Sequence, residues 1–345
     1  MFRNLVSQLL ISVIFEENNH ALRAKKIRGG KVLKTFDKSF EDKKKLLKYV
    51  DNLSQNVQIY YISAFFDASE QGLVPVASAS ELEKFGVSAK NTRFLSLLNA
   101  QIYAPHASIH QYERLFEDYG ELDLLFSPFM LLYHCIDTKI KPKKDKNSLF
   151  VFRHSNYLAM MICENKRICY GKFFDLSAKD EVNLEDEIDF DAVPNEDESE
   201  AGEAINGLIR EDAATTEKIK KEAQEEAASL AENISDNPLD IKQEAVQDAG
   251  AALDESKHIA SSAMDLSSFG GDMNMCACIF EGVQEFYTNP LYNGKFIDEL
   301  VFFDSANISQ AVLDYVEGEV FIKPEVIKID TLNLMNELMR RELEI

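Results

Sequence analysis

From Leu9 the chain alternates apolar runs with short polar breaks. "LLISVIF" is continuous apolar sequence, Glu16 to His20 are polar, and Ala21 to Arg28 and Lys31 to Phe36 are strand-like. Gly29-Gly30 between the last two favours a positive-φ turn, so the pattern predicts a three-strand meander. Leu46, Leu47, Val50 and Leu53 recur at helical spacing and predict a short amphipathic helix. Val57, Ile59 and Tyr61 alternate ahead of another apolar run, which reads as a strand. "ELEKFGV" and the stretch after Lys90 supply short helical and strand pieces, with a helix opening at Ile109 to Glu113 and stopping at Gly120. Leu122 to Ile136 reads as a short strand, a Ser127-Pro128 break and a buried helix, since proline is tolerated in a helix's first turn.

Leu149 to Phe174 reads as two apolar strands joined by a polar turn at Glu164 to Arg167, with a second polar break at Arg153-His154-Ser155-Asn156. After Phe174 the composition changes. Asp175 to Ser267 holds 27 acidic and 7 basic residues, leaving 32 acidic and 30 basic elsewhere. The chain's net charge of -22 is therefore concentrated in one acidic insert. Within it, residues 180–203 are expected to be a loosely held linker. Ile209 to Ile234 and Ile241 to Met264 read as two solvated helices with thin apolar stripes. Order returns at Met273 with a helix stopping near Asn289-Pro290, then a strand in "FIDELVFFDSANI", a helix in "SQAVLDYVEG" and a strand in "EVFIKPEVIKID". "TLNLMNELMRRELEI" closes the chain as an amphipathic helix.

Charge and composition narrow the chemistry. An acidic chain lacks the clustered cations of a nucleic-acid footprint. No apolar run reaches the ~20 residues of a membrane-spanning helix. Leu5 to Phe15 reads as a buried strand rather than a signal peptide, because Arg3 is the only charged side chain before it and Glu16-Glu17 end it. Five cysteines do not suggest a disulfide framework, and a reducing, cytosolic setting is expected. Cys163, Cys169, Cys276 and Cys278 lack the repeated spacing of a zinc site and read as structural thiols. No metal ligand set is expected. His154-Ser155 is not a nucleophile and base pair, because adjacent side chains on an extended segment diverge.

The order of these pieces resembles the actin-like ATPase fold, an α/β two-lobed, ribonuclease H-like architecture. Within it the chain is most similar to PilM-like pilus proteins and the cytoplasmic part of GspL-like secretion proteins. The resemblance covers Leu9 to Phe174 and Cys276 to Asp330 and includes "EGVQEFYTNPLYNGKFIDELVFFDSANISQAVLDYVEGEV". It implies a first lobe over 1–148 with a smaller subdomain at roughly 57–120, and a second lobe opening at 149–174. After the acidic insert at 175–267, the second lobe's remainder and the C-terminal helix occupy 268–345.

Active members of that family carry glycine in three phosphate turns, where a Cβ would block close approach of phosphate to the backbone. Here the turns are Glu16-Glu17-Asn18-Asn19-His20, Arg153-His154-Ser155-Asn156 and Phe303-Asp304-Ser305-Ala306-Asn307, and none has glycine. The resemblance thus implies degenerate nucleotide turns at Glu17, Asn18, Asn19, Arg153, His154, Ser155, Asp304 and Ser305. The expectation is a non-enzymatic cytoplasmic scaffold, without cofactor, at the inner face of the inner membrane. It would bind the tail of a PilN-like bitopic membrane protein and self-associate into an oligomer or ring. The machine served is a pilus, a secretion or competence system or a flagellar motor. Tyr61, Phe65, Phe66 and Tyr103 are the candidate partner-groove residues, against an alternative role as plain aromatic core. Two other readings stay open: an ATP-binding member in which Asp304 or Glu16 holds Mg, and an acidic adaptor acting through residues 175–267.

Overall fold

The computed structural model describes residues 6–17, 19–55, 57–141, 146–177 and 272–344. The expected linker and both expected solvated helices of the acidic insert lie outside these residues. The meander read from the sequence is β1 (Gln8–Phe15), β2 (His20–Arg28) and β3 (Lys31–Phe40), the third strand running to Phe40 rather than Phe36. Gly29 and Gly30 both have positive φ, 56° and 75°, as a two-residue turn between twisted strands requires. α1 (Lys43–Ser54) follows, its N-terminus capped by Asp42, which accepts from the Lys44 amide at 2.8 Å. Next come β4 (Ile59–Phe65), β5 (Gly72–Val74), a 3₁₀ turn (Ala79–Phe85), β6 (Thr92–Leu97), β7 (Ala100–Pro105), α2 (His106–Phe116) and β8 (Leu124–Phe126). α2 begins at His106, one turn ahead of the expected Ile109, because Pro105 directly precedes it in extended conformation.

The second half comprises α3 (Pro128–Lys139), β9 (Asn147–His154), β10 (Tyr157–Glu164), β11 (Arg167–Asp175), α4 (residues 272–288), β12 (Glu299–Asp304), α5 (Gln310–Val320), β13 (Pro324–Lys328) and α6 (Thr331–Glu342). Leu149 to Phe174 is thus three strands, not two. The polar break is itself a hairpin turn, with Tyr157 paired to His154 and Ser155-Asn156 as its loop. Both five-stranded sheets have one strand order, β3-β2-β1-β4-β8 and β11-β10-β9-β12-β13. In each, three antiparallel strands are followed by two added in parallel. This duplicated order is the two-lobed actin-like, ribonuclease H-like fold.

The central strands are buried on both faces, which explains their unbroken apolar runs. Leu9, Ile11 and Val13 of β1 face α1 and an outer core, whereas Leu10 and Ile14 face inward. Leu149 and Val151 of β9 likewise face α4 and α5, while Phe150 and Phe152 face inward. The two inward faces share one core filled by Phe129, Leu132 and Cys135 of α3 and by Leu334, Met335 and Leu338 of α6. The chain exchanges these helices. α3 leaves the first sheet and packs on β9 and β10 of the second, while α6 leaves the second and packs on β1 and β2 of the first. α3 is apolar nearly all round because it lies within this layer, and its Pro128 follows the Ser127 cap that accepts from the Phe129 amide. α6 carries the fully buried Asn336, which donates to Ser12 Oγ at 3.0 Å, and Ser12 contacts Ser63 of β4 at 3.1 Å.

β5, β7 and β6 form a small separate sheet inserted between β4 and β8. β4 belongs to the main sheet, so the smaller unit starts after it and not at residue 57; its alternating pattern is that of an interior strand beside β1. The small sheet reaches across to the second lobe. Leu73 packs so closely on β11 that a Cβ at Gly171 would lie 2.7 Å from it. The Asn99 side chain accepts from the Ile168 amide at 2.9 Å and donates to the Ile168 carbonyl at 2.8 Å. Asn99 thereby pairs the edge of β11 as a neighbouring strand would. Replacing Asn99 with Ala strands both backbone groups and is expected to cost about 1–3 kcal/mol. Urea unfolding measures that loss, and amide exchange at Ile168 should accelerate with it; unchanged values contradict the clamp.

Candidate functional site

The sheet order brings the first turns of both meanders, the turn after β12 and the start of α6 to one junction. Its centre is His154, at the end of β9, whose side chain is 12% exposed. His154 Nδ1 lies 2.8 Å from Ser305 Oγ and 2.9 Å from Thr331 Oγ1. Its Nε2 lies 3.4 Å from a Glu16 carboxylate oxygen, and the edge of its ring meets Phe65 at 5.1 Å between centroids. The Ser155 hydroxyl donates to Glu16. One imidazole therefore bridges all three turns and the last helix.

Burial sets the charges. It holds His154 far below its ordinary 6.5, at about 4, with the Asp330 carboxylate pulling weakly the other way. The ring is neutral at physiological pH, so its approach to Glu16 is a dipolar contact and not an ion pair. Burial raises the Glu16 carboxyl; the Ser155 hydrogen bond opposes this and Asp67 adds to it.

Asp304, Ser305 and Arg153 are committed as well. Asp304 accepts from the Ala306 and Ile308 amides at 3.0 and 2.9 Å, a cap on its own turn. Ser305 donates through its hydroxyl and its amide to the Arg153 carbonyl, at 3.0 and 3.1 Å. Arg153 points to the opposite face of β9 and pairs with the buried Asp272 of α4 at 2.8 Å. Asp272 in turn accepts from Ser309, the cap of α5, at 3.1 Å. Arg153 and His154 thus face opposite sides of β9, as strand neighbours do, and each has partners in the fold. Glu17 and Asn19 are exposed on the first turn, and Asn18 lies outside the described residues.

A magnesium nucleotide does not fit these residues. Ser155 and Asn307 have φ of +48° and +63°, so the second and third turns keep left-handed positions suited to glycine while presenting side chains there. The space between the turns is crossed by the His154 imidazole. Of the two expected Mg holders, Asp304 spends both carboxylate oxygens on backbone amides and Glu16 accepts from the Ser155 hydroxyl. Among the described residues no group of three or more His, Cys, Asp or Glu is arranged to hold a metal ion. Cys163 and Cys276 are buried and Cys169 and Cys278 partly so, with burial pushing the Cys276 thiol up to about 11.

A second candidate feature lies beside the small sheet. Phe66, Phe94, Ile102, Tyr103, Leu122 and Leu125 line a groove of about 290 Å³, rimmed by Arg93, Glu113 and Asp123. Of the four expected groove residues, Phe66 and Tyr103 line it. Phe65 and Tyr61 do not: successive residues of a strand face opposite ways, so both turn to the central core, where Phe65 supports His154. β6 pairs only with β7 among the described residues, which leaves its outer edge open next to Arg93, Phe94 and Leu95. The sequence reading missed Thr331 and Asp272, which meet the turns only through the fold. It also missed Asp67, which accepts hydrogen bonds from Tyr112 of the first lobe and Tyr157 of the second.

The family described as a domain of unknown function, DUF8341, matches residues 149–344, and a second, DUF8569, matches residues 6–133. No curated protein matches the chain. Among solved structures, the PilM-PilN type IV pilus biogenesis complex is similar at 10% identity, over 92% of this chain and 88% of that one, with a TM-score of 0.45. A Bacteroides thetaiotaomicron protein with an actin-like ATPase fold and unknown function is similar at 12% identity, over 49% and 70%, with a TM-score of 0.33. The cytoplasmic domain of EpsL, an inner-membrane component of the Vibrio cholerae type II secretion system, is similar at 10% identity, over 49% and 70%, with a TM-score of 0.31. Likeness at this level says nothing about activity or partner.

The His154 junction has a pH signature. The unfolded chain takes up a proton near pH 6.5 that the folded chain refuses until about pH 4. The histidine's contribution to stability is therefore full above pH 6.5 and is lost as pH falls through that window, by about 3 kcal/mol. His154→Gln is expected to flatten this loss, measured as urea-unfolding free energy between pH 6.5 and 4. Equal slopes in the two proteins contradict the assignment.

Proposed function

We propose that this chain, which belongs to the DUF8341 family, is an actin-like scaffold that does not hydrolyse nucleotide and captures a short peptide tail of a membrane-machine protein. The observation that carries the first half is the His154 bridge. Its contacts to Glu16, Ser305 and Thr331 fill the place where phosphates would need bare backbone. Nucleotide-driven closure also needs lobes that move apart. Here the shared core, the Asn99 clamp and the Asp67 brace hold them together.

The groove beside β6 supports the second half. An extended peptide can add its backbone to the open edge of β6 and place alternate apolar side chains against Phe66, Leu95 and Ile102. Arg93 and Glu113 at the rim suit a tail with charges of both signs. The partner in this reading is the cytoplasmic tail of a PilN-like bitopic protein of a pilus or secretion system. No helix among the described residues is long and apolar enough to cross a membrane, so in this reading attachment comes through the partner.

Calorimetry with Mg-ATP is expected to give no saturable heat, and micromolar affinity contradicts the scaffold reading. For the groove, Leu95→Glu is expected to weaken capture of the PilN-like tail peptide at least about tenfold, as loss of an apolar anchor does. Fluorescence anisotropy measures it. Unchanged binding by the folded variant removes the groove from the account.

A further inference from the structure

The two-stranded ribbon of β2 and β3 lies at the edge of the first sheet opposite β8, away from the groove. Between His20 and Lys48 the sequence holds eleven lysines and arginines against three acidic residues, in a chain of net charge -22. Some of this charge is structural. Arg23 pairs with Asp37 and Asp330, and Lys25 donates to Asn333, so these two anchor α6. Lys26, Arg28, Lys31, Lys34 and Lys38 form no ion pair with any described residue.

Their placement runs against the rule for stable sheets. The register sets Lys26 directly opposite Lys34 and Arg28 directly opposite Lys31, two like-charge pairs at the free end of the ribbon. Directly opposed like charges destabilise a sheet, so this end is cationic at a cost to the fold. Beside the Gly29-Gly30 turn, Val32 and Leu33 are 46% and 57% exposed. The tip thus combines cations that have no acidic partner among the described residues with two bare aliphatic side chains.

We propose that this end of the β2–β3 ribbon is the face the protein lays on an anionic lipid surface. Lysine and arginine stay at the headgroups, while Val32 and Leu33 reach the boundary of the acyl chains. A nucleic-acid partner would call for free aromatic stacking surfaces, whereas the ribbon's Phe36 and Phe40 pack against the outer core, with Lys34 seated over Phe36. The acidic stretch 175–267 matches the ribbon in charge, but charge matching alone leaves the exposed aliphatic pair without a role. The inference goes beyond peptide capture and uses none of the groove residues.

The test is co-sedimentation of the full chain with phosphatidylcholine vesicles, with and without a minority of phosphatidylglycerol. Binding is expected only with phosphatidylglycerol, and release is expected as salt screens the cations. Each neutralised cation is worth about fivefold, so Lys26→Glu with Lys34→Glu should weaken binding well over tenfold. Leu33→Ser should weaken what survives at high salt. Circular dichroism confirms that the variants are folded. No binding by the folded chain, or equal binding by wild type and the double variant, overturns the proposal. If the chain stays unbound while Lys26 and Lys34 resist acetylation until salt is raised, the acidic stretch is the occupant, which also overturns it. Retained peptide capture with lost vesicle binding, or the reverse, separates this proposal from the groove reading.

Discussion

The contact on which the cleft depends is the one made by the His154 imidazole. A neutral ring can meet two hydroxyls through one nitrogen and turn the other toward a carboxylate. It does so between Ser305, Thr331 and Glu16, from three separate parts of the chain. Burial keeps the ring neutral, since a charged ring there would lose its hydration. Phe65 closes the apolar side. The junction therefore holds the ends of β1, β9 and β12 and the start of α6 in one arrangement.

That arrangement is reinforced by the exchange of α3 and α6 between the sheets. Each sheet is covered on its inner face by the helix that follows the other sheet's last strand, so neither lobe is complete alone. The first residues of α6 join both halves: Thr331 contacts His154 of the second lobe, while Asp330 holds Arg23 of the first and caps the helix at Asn333. Asn99 on the small sheet and Asp67 at the end of β4 add ties on the far side. Ties in the shared core, at the cleft and at the edge thus join the two halves of the chain.

Much of the fold was legible in the sequence because the signals were local. "LLISVIF" announced a strand buried on both faces, Gly29-Gly30 a tight turn, and Ser127-Pro128 a helix start. The three turns were legible as matching positions from their order alone. Less legible was what fills them. The sequence shows that glycine is missing, but not that Ser155 and Asn307 retain left-handed backbone, because φ is set by hairpin geometry as much as by residue type. Nor does it show that Thr331 and Asp272 join the turns, since both lie far along the chain and arrive through sheet order. "VFRHSNY" looked like an interruption of one strand because Arg153 and His154 are polar. They end β9 as buried side chains with partners on opposite faces. Phe65 and Tyr61 were assigned to the groove by aromatic content, which does not say which face of β4 each occupies.

The central claim is that the three turns bind one another through His154 in place of phosphate. NMR of the His154 ring nitrogens, followed against pH and then against Mg-ATP, tests it most directly. The account predicts a neutral ring that titrates only near pH 4 and whose signals do not move with Mg-ATP. A ring that titrates near 6.5, or that shifts saturably as Mg-ATP is added, contradicts it.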